Sequence, residues 1–157
     1  QEVDMAKVHL GTISHGTLRT EDLLEAFTSE LESLARQEPQ NFEHLRLAFE
    51  VRTEYLPDEE LPDDAHEMRA QLEDALQEYA PPFVYFGSHP GDGADFGFWP
   101  DHDALEDAAR DQGAVHDADG YAYLEDDNVW LHINDHGNIA LLTNNDGQPG
   151  EEIWSVV

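Results

Sequence analysis

The sequence predicts an α+β fold in which N-terminal helices pack on a mostly antiparallel sheet built from the C-terminal half. Three observations predict it. Apolar residues recur every three to four positions through residues 20–80, Pro81 and Pro82 stop that pattern, and short extended runs separated by Gly-, Asn- and Asp-rich turns fill residues 83–157. Helices followed by hairpin-connected strands, instead of alternating with them, favour an antiparallel sheet covered on one face. The 157 residues read as a single domain, since 39% are hydrophobic and 10% aromatic, enough for one sizeable core.

Residues 1–12 read as an arm or short strand, with Val8, Leu10 and then Ile13 in alternation. Thr20 is placed to cap the first helix, and Glu21 and Asp22 put carboxylates in its first turn, where free amides and the helix dipole favour them. Leu23, Leu24, Phe27, Leu31 and Leu34 form its apolar stripe, which ends near Gln37 before Pro39. A second helix is expected over 40–55 with Phe42, Leu45, Ala48, Phe49, Arg52 and Tyr55 near one face. Asp63 or Asp64 is placed to cap a third, in which Met68, Leu72, Ala75, Leu76 and Tyr79 face inward. Beyond the prolines, 83–86 and 94–99 read as strands around a loop over 87–93. Asp101 or Asp103 opens a short helix through Arg110, and 121–124, 129–134, 138–143 and 152–157 read as a meander.

The charge narrows the function. Asp and Glu number 36 against 7 Lys and Arg, for a formal net charge of -29. Such a surface repels DNA, RNA and anionic membranes, and seven cations hardly furnish a basic patch, so basic proteins and cations are the expected partners. There is no cysteine, which removes disulfides, thiol nucleophiles and thiolate metal sites. The opening QEVDMAKVHLG has no signal-peptide core and no apolar run approaches the roughly 20 residues of a spanning helix, so a cytoplasmic protein is expected.

Two readings account for the acidity. Glu21, Glu25 and Glu32 fall near one face of the first helix, separated by about 6 Å and 10.5 Å along its axis, intervals like those between successive phosphates. With Asp58, Glu59, Glu60, Asp63, Asp64, Glu67, Glu73, Asp74 and Glu78 they would form an acidic surface for a basic cleft, in the limit a nucleic-acid mimic. The alternative is halophilic adaptation. At high salt the Debye length falls to about 3 Å, so a dense carboxylate coat costs little through repulsion and keeps the surface hydrated.

Two polar clusters are candidates for a ligand loop. In GSHPGDGADFG and the Trp99 that follows, His89, Asp92 and Asp95 place polar atoms among aromatics, but the segment leads into a strand and lacks a phosphate-loop lysine, so a turn tied by aspartate side chains is the plainer explanation. In LHINDHGN, His132, Asn134, Asp135 and His136 surround Gly137, which suits the left-handed position of a hairpin turn. His89, Asp92, His132 and His136 would make a nitrogen and oxygen set suited to zinc, iron or manganese if the fold joined them, yet no HExxH helix or EF-hand loop is present. No cofactor is expected. Asp92 or Asp95 as base with His132 or His136 as acid can be written as a hydrolase, but there is no GxSxG elbow and a non-enzymatic module is favoured.

The elements HGTLR at 15–19, YFG at 85–87, GDGADFGFW at 91–99 and NDHGN at 134–138 resemble those of a family of small, largely uncharacterised bacterial and mobile-element proteins. The resemblance spans most of residues 13–157. It implies membership without an activity, and it implies that the extra carboxylates belong to this chain's environment more than to a function common to the family. The sequence-level conclusion is an acidic interaction module for a basic protein surface. Its alternative is a halophile-adapted domain with a small-ligand or metal site.

Overall fold

The computed structural model describes residues 8–38, 42–57, 60–114 and 117–156. It is α+β, with the helices concentrated in the N-terminal half and the strands in the C-terminal half, but the strands form two sheets instead of one. The chain packs as two compact units, each with its own buried apolar set.

Unit 1 comprises Gln1–Ala80 and Tyr85–Trp99. Its elements are β1 (Gly11–Ser14), α1 (Thr20–Gln37), α2 (Phe42–Glu54), α3 (Ala65–Gln77) and the hairpin of β2 (Val84–His89) and β3 (Asp92–Pro100), with strand order β1-β3-β2. The α1 stripe is realised as expected, with Leu23, Leu24, Phe27, Leu31 and Leu34 buried and the helix packed on α2, α3 and β1. Phe27 carries that stripe onto the sheet, meeting Phe86 edge-on at 5.1 Å and Phe96 at 5.5 Å, while Phe86 meets Phe98 at 5.1 Å. Gly97 explains how closely β1 approaches. A Cβ there would lie 1.9 Å from the Gly11 carbonyl oxygen, so only glycine admits the pairing of Thr12 with position 97.

Three local expectations are corrected in this unit. Thr20 is the first helical residue and not the cap. Arg19 holds the cap position, while Thr17 Oγ1 accepts from the Arg19 amide at 3.1 Å and donates to Asp22 at 2.7 Å. Asp64 does precede α3, but its carboxylate accepts the Tyr55 hydroxyl at 2.7 Å instead of a helix amide. On α2 the inward face is Ala48 and Val51, with Tyr55 beyond its end. Phe42 and Phe49 point outward, 70% and 68% exposed, because the helix carries two apolar strips and the one with smaller side chains fits against α1.

Unit 2 comprises Pro81–Val84 and Pro100–Val157. Asp101 caps α4 (His102–Asp111) as expected, its Oδ1 accepting from the Ala104 amide at 3.0 Å. The meander β4 (Tyr121–Leu124), β5 (Val129–Ile133), β6 (Ile139–Asn145) and β7 (Gln148–Val156) pairs in sequence order. Register sets the faces: Ala122, Leu131, Leu141 and Trp154 stand in one row and are buried, while Tyr121, His132, Ala140 and Ser155 form a row on the other face. The Trp154 indole donates to the Pro82 carbonyl at 2.8 Å, which ties the first segment of the unit to its last strand. The β6–β7 connection is a two-residue Asp146-Gly147 turn with both φ positive, at 51° and 84°, so β7 begins before Pro149 and tolerates it as an edge strand.

Candidate functional site

The two candidate ligand loops are built as turns. The β2–β3 connection is only Pro90 and Gly91, so the strands run through most of the segment expected to be loop. His89 Nδ1 accepts from the Gly91 amide at 2.9 Å, Asp92 Oδ1 accepts from the Ala94 amide at 3.0 Å, and the Trp99 indole donates to the Gly87 carbonyl at 2.9 Å. The His89 ring stands edge-on to Trp99 at 4.8 Å. Asp95 Oδ1 is buried without a hydrogen-bond partner. The contacts of His89, Asp92 and Trp99 tie those three groups to their own hairpin, which for Asp92 is the behaviour of an aspartate-stabilised turn.

The second cluster is arranged the same way. Asn134 Oδ1 accepts from the amides of His136 at 2.9 Å and Asn138 at 3.0 Å, and Gly137 takes φ 82°. Asp135 and His136 are exposed at the tip. His132 stacks on Tyr121 with centroids 4.3 Å apart, and with Asn134, Asn138, Glu152 and Ser155 it lines an open hollow of about 260 Å³. His89, Asp92, Asp95 and Trp99 belong to unit 1, whereas His132, Asn134, Asp135 and His136 belong to unit 2. Among the described residues, no group of three or more His, Asp or Glu is arranged to hold a metal ion.

The acidic row on α1 is largely engaged by arginines. Glu21 pairs with Arg19, and its own backbone amide, then Arg19, hold its carboxyl below the usual range. Glu32 is half-buried between Arg36, 3.3 Å away, and Arg52, which also donates to Ser29 Oγ at 2.9 Å. Glu25 is exposed, and so are Glu60, Asp63 and Asp64, the last engaged by Tyr55. Asp58 and Glu59 lie outside the described residues. An evenly spaced run of open carboxylates is therefore not what α1 offers.

A different set converges between α2 and α3, in which Asp74 and Glu78 belong to the acidic surface expected above while Glu43 and Glu50 do not. Glu43 and Glu50 from α2, Asp74 from α3 and Glu78 at the C-terminal cap of α3 line a groove of about 410 Å³ together with His44 and Arg46. His44 bridges the two helices, its Nδ1 2.8 Å from the Tyr79 hydroxyl and its Nε2 2.9 Å from Glu78 Oε2. The four carboxylates come from positions 24 to 35 residues apart across the two helices, so only packing joins them. Spacing of i, i+7 within α2 and i, i+4 within α3 was the available hint, and it appears on any solvated helix.

Charge is not confined to this unit. Unit 1 holds 22 carboxylates against 6 basic side chains, and the smaller unit 2 holds 14 against Arg110 alone. Among the described residues no helix is long and apolar enough to cross a membrane. Compared with family models, with curated proteins and with solved structures, the chain matches none.

Proposed function

We propose that the chain is an acidic protein-interaction module that captures a basic protein surface in the cytoplasm, without catalysing a reaction. The observation that supports this reading best is the α2–α3 groove, where four carboxylates from two helices share one concave surface with a single arginine. Concavity raises the local potential beyond what isolated exposed acids achieve. The nucleic-acid-mimic form of the proposal draws less support, because Arg19, Arg36 and Arg52 occupy two of the three glutamates that would have copied phosphate spacing.

The test is binding of fluorescent polylysine at low salt to the full chain and to two charge-matched variants. Glu43→Gln, Glu50→Gln, Asp74→Asn and Glu78→Gln together should weaken binding by roughly tenfold to several hundredfold, at a few tenths to 1 kcal/mol for each rim charge, and flatten its salt dependence. Asp119→Asn, Glu125→Gln, Asp126→Asn and Asp127→Asn in unit 2 should do much less. Equal losses from the two sets, or no binding at low salt, would overturn the groove assignment.

The spread of carboxylates over both units favours a second reading, in which the coat adapts the protein to concentrated salt. Unfolding followed from dilute to multimolar KCl decides its weight: a fold that requires molar salt supports adaptation, and a fold indifferent to salt removes it.

A further inference from the structure

We infer that the outer face of α2 docks a basic amphipathic helix, with the apolar side of that helix on Phe42 and Phe49 and its Lys or Arg residues on the neighbouring groove carboxylates. This rests on the acidic-capture reading and adds to it the site and the shape of the partner.

Phe42 and Phe49 are the two most exposed large apolar side chains of the described residues, at 70% and 68%. Seven residues apart, they stand on one strip of the helix with about 10.5 Å between them along its axis. That strip also carries Arg46 and Thr53, both exposed, and lies opposite the buried Ala48 and Val51. Two exposed rings two turns apart on one strip, on a helix whose opposite face is packed, are anchors of the kind that interfaces use. A spacing of two helical turns matches apolar residues at i and i+7 of an opposing helix.

Charge chooses the occupant. At about 100° per residue, Glu43 and Glu50 lie on the flank of α2 next to the phenylalanine strip, and they lead into the groove shared with Asp74 and Glu78. A second copy of this chain, with its own net charge of -29, is repelled from that surface at low salt, whereas a helix with one apolar and one basic side satisfies both parts at once. Arg46, at the boundary, opposes such a partner and gives the inference a lever.

The experiment measures binding of a designed leucine–lysine amphipathic helix to the full chain at low salt by fluorescence anisotropy, beside a scrambled peptide of identical composition. Phe42→Ala with Phe49→Ala should weaken the amphipathic peptide roughly ten- to hundredfold, as loss of two anchor residues does, and leave the scrambled peptide unchanged. Phe42→Leu with Phe49→Leu should restore most of the affinity. Arg46→Glu should tighten binding. Far-ultraviolet circular dichroism checks that each variant folds, which the exposure of all three side chains favours. If both peptides bind wild type equally and the phenylalanine variants have no effect, the helix site is wrong while acidic capture stands. If neither peptide binds, both readings fall. Concentration-dependent dimerisation abolished by the alanine pair would overturn the inference in favour of a second copy.

Discussion

The two units handle negative charge differently. In unit 1 two arginines reach between elements: Arg52 on α2 reaches Glu32 and Ser29 on α1, and Arg69 on α3 lies over the Phe96 ring of β3 at 5.3 Å while approaching Glu73 of its own helix at 3.5 Å. Among the described residues of unit 2 the one arginine pairs with Asp107 on its own helix, and the side-chain links between strands are neutral. Trp130 Nε1 donates to Asn144 Oδ1 at 3.0 Å, Asn144 Nδ2 donates to Asn128 Oδ1 at 2.9 Å, and the Tyr123 hydroxyl donates to the same oxygen at 2.8 Å. Cations are thus placed where carboxylates must coexist with helix packing. A meander stitched by backbone ladders and amide side chains needs none, and can leave its acids in water.

The largest effect is expected from emptying the core of one unit. Phe27→Ala should cost about 3–5 kcal/mol, and amide exchange should accelerate through α1, β2 and β3 while β4 to β7 keep their protection. Loss of protection throughout would show that the two units unfold as one. Gly97→Ala should cost about 1–3 kcal/mol by forcing β1 away from β3, read as a lower denaturant midpoint; unchanged stability would mean that the Gly11 carbonyl yields without strain. Asn134→Ala removes the acceptor of two amides at the β5–β6 turn and should cost about 1 kcal/mol, with the change confined to unit 2.

The smallest effect is spectroscopic. The hydrogen bond to Asp64, then burial, push the Tyr55 phenol up from 10.0 to about 12. Because the folded value exceeds the unfolded one, the associated stability is fully present below pH 10 and is lost as pH rises through about 12. Ultraviolet titration should show the Tyr55 phenol ionising late, and Asp64→Asn should bring it back toward 10.0.

Much of this fold is legible in the sequence because the relevant forces are local. The α1 stripe, the proline stop, the Asp101 cap and the Asn134–Gly137 turn each follow from neighbours within a few residues. The failures share a cause. On α2, Phe42 and Phe49 look like core by hydrophobicity, yet Ala48 and Val51 fit the close approach to α1, and only that approach decides between the strips. Glu32 looks free by spacing because Arg52 is 20 residues away on another helix. The groove acids are likewise joined by packing alone. By pattern alone the strands read as one sheet, since no local feature separates β2 and β3 from the later meander or shows that β1 pairs with β3.

The hairpin of β2 and β3 leaves unit 2 after Val84 and returns to it at Pro100, so neither unit is a simple half of the chain. During translation, the three helices emerge well before the strands that Phe27 packs against. At about 5–20 residues per second, the nascent chain spends on the order of a second or more with that apolar surface bare, and a fragment ending at Ala80 would remain in that condition permanently.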